Sequence, residues 1–244
     1  MRIDINCDVG EGIANEHLIM PLISSCNIAC GGHFGDEKTI EETLKLAIKN
    51  DVKIGAHPSF PDTKNFGRKL MTISDSELKE SVQNQIELFL KVLKNYPTKM
   101  RHIKPHGALY NAIAKDIKLA AVFLDAIEKY LDNVFLYVPY NSVIADLSMK
   151  RNVKIKYEVF ADRNYNNDYS LVSRIENNAV ITDKDEVLKH VLFMVENNKV
   201  KSINNTELPI KTDTFCVHGD TKNAHKILQF LNLELAKKGI LLDK

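Results

Sequence analysis

Histidines lie directly after several short apolar runs, at positions where an α/β protein carries its reactive groups. Four of the eight histidines, His33, His57, His106 and His218, occupy such positions. Imidazoles titrate near neutral pH and ligate metals, so this pattern predicts acid–base catalysis or a metal site. Buried polar groups cost free energy unless they are paired, so four histidines at four run ends indicate an active face rather than core filling. The string from His218 to Asp220 precedes a predicted helix, whose free backbone N–H groups favour an anion.

Charged residues follow the same runs. Asp8 and Glu11 are candidates for a general base or for holding a cation. Alternation places Lys104 on the same side as His106, where it polarises a carbonyl or holds a phosphate, unless it only pairs with a neighbouring acid. Arg163 is expected to clamp a carboxylate or phosphate with two hydrogen bonds.

Short apolar runs alternate with longer amphipathic segments, which predicts strand–helix units and a mainly parallel sheet. The helical segments include one capped by Asp36 and one that opens with Ser74 and Glu77 in a capping box. Eight units of about 30 residues match the chain length, so we expect one α/β domain over residues 1–244, a (β/α) barrel of seven or eight strands. An open doubly wound sheet is the alternative. The predicted strands are 2–7, 27–30, 52–56, 102–104, 134–138, 155–160 and 214–217, with a weaker eighth at 179–182.

Composition excludes several classes of protein. The 244 residues carry 33 Lys and Arg against 32 Asp and Glu, a net charge of +1 that does not suggest nucleic acid or a membrane as a partner. The N-terminus lacks the pattern of a secretory signal, and we expect a cytoplasmic protein. Its four cysteines are expected to be buried free thiols. No P-loop, H-E-x-x-H or G-x-S-x-G motif occurs.

Six strings at the predicted strand ends resemble one known family. DINCDVGEG, SSCNIACGGHFGD, GAHPSFPD with FGRK, KPHGALYN, EVFADRNY and CVHGDT occur in order between residues 4 and 221. They resemble the LamB/YcsF family, which provides one component of prokaryotic 5-oxoprolinase. The resemblance implies a barrel of the glycoside hydrolase/deacetylase type. It also implies ATP-dependent opening of 5-oxo-L-proline to L-glutamate, with ATP as co-substrate and the 5-oxoprolinase subunits B and C as partners.

The resemblance, with the residue chemistry above, leads to a hypothesis for the site. Phosphorylation of the lactam oxygen would make it a good leaving group, and Asp8 or Asp162 would be the base for the attacking water. Lys104 would stabilise charge on oxygen or phosphate, and Arg68 or Arg163 would clamp the substrate carboxylate. The predicted catalytic residues are Asp8, His57, Lys104, His106 and Asp162. The predicted substrate-binding residues are Asn6, Glu11, Asn27, His33, Arg68, Tyr110, Arg163, His218 and Asp220.

Two other functions remain open at this stage. The first is a stand-alone metal-dependent amide or acetyl hydrolase, because Asp8, His33, His57 and His106 are suitable ligands for a divalent cation such as zinc. The second is a non-catalytic subunit that only binds a ligand or a partner. Stoichiometric metal in the purified protein favours the first, and ligand binding without turnover favours the second.

Overall fold

The computed structural model describes residues 1–244, and seven of its strands form a closed parallel barrel. Four further strands form two small pairs outside the barrel, β1 with β11 and β8 with β9. The strands are β1 (Arg2–Ile3), β2 (Ile5–Val9), β3 (Ser25–Ala29), β4 (Lys53–His57), β5 (Met100–Ile103), β6 (Phe135–Pro139), β7 (Ile155–Phe160), β8 (Lys199–Lys201), β9 (Glu207–Pro209), β10 (Thr214–Cys216) and β11 (Leu241–Leu242). The predicted barrel is therefore confirmed.

The barrel closes with seven strands, and the weaker eighth strand predicted at 179–182 is not formed. β10 pairs with β7 on one side and with β2 on the other, which completes the ring. Within 179–182 only Val180 makes an isolated bridge, to Arg163. That segment lies in the long connection after β7, where Ala179 is buried and Ile181 packs against the hydrophobic core. Its apolar residues are explained by this packing.

Helices connect most of the strands, as parallel pairing requires. Asp36 accepts a hydrogen bond from the backbone of Thr39, and Ser74 forms the predicted capping box with Glu77. These caps satisfy amide groups that a helix leaves unpaired at its start, which is why the two starts were readable from sequence. The helices are α1 (Glu16–Ile19), α2 (Glu37–Lys49), α3 (Asp75–Leu93), α4 (Gly107–Ile113), α5 (Ile117–Ile127), α6 (Val143–Lys150), α7 (Lys184–Asn197) and α8 (Ala224–Lys237).

One hydrophobic core fills the space between the barrel and its helices. Phe60, Phe89 and Phe123 are among its largest fully buried side chains. All four cysteines are buried and free, as predicted. None of the helices combines the length and the apolar character that a membrane crossing needs.

Candidate active site

Ten of the fourteen predicted site residues line one cavity at the carboxyl ends of the barrel strands, whereas Asn6, Asn27, His33 and Asp162 do not line it. The cavity has a volume of about 330 Å³. Its walls include Asp8 after β2, His57 at the end of β4, Lys104 after β5 and His218 after β10. Parallel strands bring their carboxyl ends to one rim, so residues far apart in sequence become neighbours. A larger groove of about 590 Å³ beside α3 contains no histidine, lysine or arginine, and it is not the site of this chemistry.

Lys104 lies at the base of the cavity between two carboxyl groups. Its Nζ donates to Asp8 Oδ1 at 2.8 Å and lies 2.9 Å from Glu158 Oε1. All three side chains are buried. Burial alone would lower the pKa of Lys104, but Asp8 and Glu158 among its neighbours outweigh burial and hold that pKa well above its usual value. Lys104 is therefore a fixed positive charge at the base of the cavity.

Asp8 remains ionised in the same environment. Burial favours its neutral form, but His57 and Lys104 outweigh burial and hold the pKa of Asp8 well below its usual value. Oδ1 accepts hydrogen bonds from Lys104 and from Asn27 Nδ2, the latter at 2.8 Å. Oδ2 lies 3.5 Å from Nε2 of His57. Asp8 thus presents one oxygen that is fixed by donors and one that faces the histidines.

A second cluster joins Glu11 with three of the predicted histidines. The ligand atoms of Glu11, His33, His57 and His106 all lie within 4.8 Å of one another, and all four residues are buried. Glu11 Oε1 is 2.9 Å from His33 Nε2 and 3.3 Å from His106 Nδ1. The rings of His33 and His106 stack with centroids 3.7 Å apart. In this cluster Glu11 supplies the carboxylate, whereas Asp8, the acid named among the predicted metal ligands, is held by Lys104.

The hydrogen bonds of His57 and His106 determine which of their nitrogens carry protons. His57 Nδ1 donates to the carbonyl of Lys104 at 2.7 Å, and His106 Nε2 donates to the carbonyl of Phe66 at 3.0 Å. A carbonyl only accepts, so the other nitrogen of each neutral ring carries a lone pair. These two nitrogens, His57 Nε2 and His106 Nδ1, face each other at 2.9 Å.

Two facing lone pairs repel each other, so this contact requires a proton or a cation between the two nitrogens. Burial, followed by the neighbouring His33 and His57, holds the pKa of His106 well below its usual value, so a shared proton would be carried by Nε2 of His57, which also lies 3.5 Å from Asp8. Burial also lowers the pKa of His33. Backbone carbonyls that fix ring orientation are typical of metal-binding histidines. The donor set of three imidazoles and one carboxylate therefore suits a divalent cation.

Asp162 and His218 form a separate pair at the rim. Asp162 Oδ1 accepts from His218 Nδ1 at 2.9 Å, and Oδ2 accepts from Thr221 Oγ1 at 2.6 Å and from the backbone N–H of His218 at 3.0 Å. Burial would raise the pKa of Asp162, but His218 and Thr221 outweigh burial and lower it. Because both oxygens are occupied, Asp162 orients His218.

The string at 218–220 does not form the N-terminus of the last helix, where the backbone anion site was predicted. The N–H of His218 is bound to Asp162, and α8 begins only at Ala224 after its N-cap residue Asn223. The string at 218–220 therefore ends before the cap, and the first free amides of the helix lie elsewhere.

The arginines have roles that the sequence did not reveal. Arg163 donates its Nε to the carbonyl of Ala179 at 3.1 Å and its Nη2 to the carbonyl of Val172 at 2.5 Å. Its guanidinium therefore braces the connection after β7, although the residue also lines the cavity. Arg68 and Arg174 instead meet on Asp220 Oδ2, at 2.5 and 3.1 Å. Arg174 was not predicted, because it lies inside a polar loop with no motif around it.

Glu158 was not among the predicted site residues. Asn6 and Asn27, which were predicted to bind substrate, instead form hydrogen bonds with each other and with Glu158. Asn6 donates to Glu158 Oε1 at 2.9 Å, and Asn27 donates to Asn6 Oδ1 at 2.7 Å. Both asparagines are fully buried within the barrel. Tyr110 lines the cavity, and burial together with Glu158 holds its pKa well above its usual value. Alternation along β7 was the available signal for Glu158, since that side chain points inward.

Gly107 is required by the close approach of two loops. Its φ is +56°, and a Cβ at this position would lie 2.6 Å from the carbonyl oxygen of Gly67. A side chain would force the loop after β4 away from the start of α4. That loop carries Phe66, whose carbonyl orients His106, so the glycine keeps the imidazole in place.

Comparisons with known proteins agree with this geometry. The chain is 43% identical over 245 residues to the 5-oxoprolinase A component of Staphylococcus aureus strain MSSA476, covering 98% of both chains. The structure of a lactam utilization protein from Thermus thermophilus superimposes with a TM-score of 0.92 at 32% identity, covering 99% of both chains. A family 4 carbohydrate esterase from Streptomyces lividans has a TM-score of 0.50 at 9% identity, covering 100% of this chain and 92% of the esterase, a likeness of fold alone.

The family is shown by a match across nearly the whole chain. The LamB/YcsF family matches residues 3–244, a range that includes every barrel strand and the complete cavity. Together with the relatives above, this match covers all six of the strand-end strings. The chain therefore belongs to the LamB/YcsF family.

Proposed function

We propose that this chain hydrolyses the ring amide of 5-oxo-L-proline to give L-glutamate. The observation that carries the proposal is the composition of one cavity, which has an acid–base cluster at its base and two arginines at its rim. A lactam that also bears a carboxylate matches both ends of such a cavity. The name of the Staphylococcus aureus relative, a component of 5-oxoprolinase, supports the same substrate.

Each side chain of the site has a separate role in the proposed reaction. Asp8 accepts a proton from the water that attacks the lactam carbon, since Oδ2 is its oxygen without a fixed donor. Lys104 stabilises negative charge on the lactam oxygen or on a phosphate bound to it. His57 and His106 pass the proton on to the ring nitrogen as its bond to carbon breaks. The change at the ring adds one water across the C–N bond and leaves a free amine and a second carboxylate. When the lactam oxygen carries a phosphate, ring opening gives an acyl phosphate, and a second water cleaves it to the carboxylate and inorganic phosphate.

We also propose that ATP enters through partner subunits. An unactivated five-membered lactam is a poor electrophile, and phosphorylation of its oxygen would supply the missing driving force. This chain contains no P-loop. The Staphylococcus aureus relative is named as one subunit of its enzyme, which supports an assembly with other subunits, for which we propose subunits B and C.

The test is the release of glutamate and phosphate from 5-oxoproline and ATP, measured with and without the candidate partners. We expect glutamate to form only when the chain, the partners and ATP are all present, in equimolar amount with phosphate. Glutamate formed by this chain alone, without ATP, would establish the stand-alone hydrolase instead. Binding of 5-oxoproline with no turnover under any condition would leave a non-catalytic subunit.

A divalent cation is the second part of the proposal, and the facing lone pairs of His57 and His106 support it. Glu11, His33, His57 and His106 would hold the ion, in which case Asp8 rather than the two histidines would deliver the proton to the ring nitrogen. When bound, such a cation supplies Lewis acidity toward a carbonyl oxygen and acidifies a coordinated water. The site holds three buried carboxyl groups, Asp8, Glu11 and Glu158, and one buried lysine, Lys104, so an added positive charge also improves the local charge balance.

Elemental analysis and metal titration of the purified chain test this part. We expect one equivalent of a divalent cation, with an affinity that falls at least about tenfold in Glu11→Gln, because one of four ligands loses its charge. His17→Gln is the matched control, since His17 is exposed. Cation-free protein that shows full turnover, or equal affinities for Glu11→Gln and the control, would rule the cation out.

A further inference from the structure

Two arginines at the rim share one carboxylate oxygen, and no other acid is bonded to either of them. Arg68 Nη2 and Arg174 Nη1 both reach Asp220 Oδ2. Arg68 comes from the loop after β4, Arg174 from the connection after β7, and Asp220 from the loop after β10. Three separate loops thus converge at the mouth of the catalytic cavity, which all three residues line. Two guanidinium charges meet a single negative charge there.

This trio contributes little to stability. The side chains of Arg68, Arg174 and Asp220 are 38%, 32% and 23% exposed. Partly exposed ion pairs typically contribute about 0–1 kcal/mol, because solvent screens them and ordering long side chains costs entropy. Asp220 nevertheless stays charged, since burial would raise its pKa but Arg174, His218 and Arg68 outweigh burial and lower it. The arrangement is better explained by an anion that the arginines bind.

The loop that carries Arg174 is held from inside the protein. The buried guanidinium of Arg163 donates to the carbonyl of Val172, two residues before Arg174, and to that of Ala179, five residues after it. The two hydrogen bonds hold both ends of the segment 172–179, and this limits the positions that Arg174 reaches. An arginine on a braced loop loses less entropy on binding a ligand than one on a free loop.

From these contacts we propose that Arg68 and Arg174 form the subsite for the anionic group of the substrate, and that Asp220 occupies it until substrate arrives. The carboxylate of a lactam acid, or a phosphate, takes over the hydrogen bonds that Asp220 Oδ2 accepts. Asp220 then acts as an internal competitor that holds the two arginines in place before the ligand binds. This inference rests on the proposed function for the identity of the lactam, whereas the anion subsite itself does not.

The test compares two lactams that differ only in the carboxylate. Isothermal titration calorimetry of the full chain would use 5-oxo-L-proline, 2-pyrrolidinone and inorganic phosphate. We expect the wild type to bind 5-oxoproline at least about tenfold more tightly than 2-pyrrolidinone, since hydrogen bonds between charged groups are the strong ones. Arg174→Gln should reduce this ratio to about threefold or less. Arg151→Gln, in a surface pair with Asp125, is the matched control and should keep the ratio.

The Asp220→Asn variant distinguishes two roles for Asp220: a competitor for the anion subsite, or a member of an ion pair that only holds the loops. If Asp220 competes with the ligand, its loss of charge should tighten 5-oxoproline binding about three- to tenfold and leave 2-pyrrolidinone unchanged. If the trio only holds the loops together, both Asp220→Asn and Arg174→Gln should weaken the two lactams alike, which would overturn the proposal.

Binding of inorganic phosphate tests the anion subsite independently of whether 5-oxoproline is the substrate. Phosphate binding that depends on Arg174, with neither lactam bound, would support the subsite and refute 5-oxoproline as substrate. Lactam binding without any preference for the carboxylate would refute the subsite and leave the proposed function in place. Failure of the wild type to bind any of the three probes would refute the subsite as well.

Discussion

Asp8→Asn is expected to lower glutamate formation by the reconstituted enzyme about a thousandfold. A positioned general base contributes roughly 10²–10⁴-fold to a rate, and an amide cannot accept the proton. The substitution preserves shape, and the retained oxygen still accepts from Lys104 and Asn27. Binding of 5-oxoproline should therefore change much less than turnover, so steady-state kinetics beside calorimetry checks the expectation.

Asp162→Asn provides the comparison for this variant. Both oxygens of Asp162 are occupied by His218 and Thr221, so this residue acts on the reaction only by orienting His218. We expect a loss of about tenfold to a hundredfold, at or below the lower end of the range for a group that itself transfers a proton. A larger loss in Asp162→Asn than in Asp8→Asn would move the base to Asp162.

Lys104→Met is expected to destabilise the fold by about 3–5 kcal/mol, because removal of one partner leaves buried charges without compensation. Asp8 and Glu158 lie 2.8 and 2.9 Å from the ammonium group and are buried. Urea denaturation at pH 7 measures the loss. Lys129→Met, which breaks an exposed pair with Glu87, should cost less than about 1 kcal/mol.

A double variant identifies the cause of that loss. Adding Glu158→Gln to Lys104→Met removes one of the two buried carboxylates that have lost their partner. Part of the lost free energy of unfolding should therefore return. If Lys104→Met is no more destabilising than Lys129→Met, the lysine is not needed to neutralise the barrel interior. If the double variant loses the sum of both single effects, the two residues do not interact.

The elements of this fold were readable from sequence to a large extent. The helix starts at Asp36 and Ser74 were predicted correctly because capping depends only on residues within one turn. The alternation of apolar runs with amphipathic segments predicted a parallel sheet because parallel strands require crossover helices, and the chain length favoured a barrel over an open sheet. The eighth strand predicted at 179–182 was wrong, since a short apolar run in a connection that packs against the core has the same pattern as a short strand.

The candidate site, like the fold, was predictable from sequence only in part. The sequence by itself determined that histidines and acids lie at strand ends, because a strand boundary is a local property. Only the tertiary structure decided that Glu11 joins the histidine cluster and that Lys104 holds Asp8. Likewise, only the fold showed that Arg163 braces a loop while Arg174 faces the cavity. The physical reason is that pairing among buried charges depends on distances across the barrel, which no local pattern of residues records.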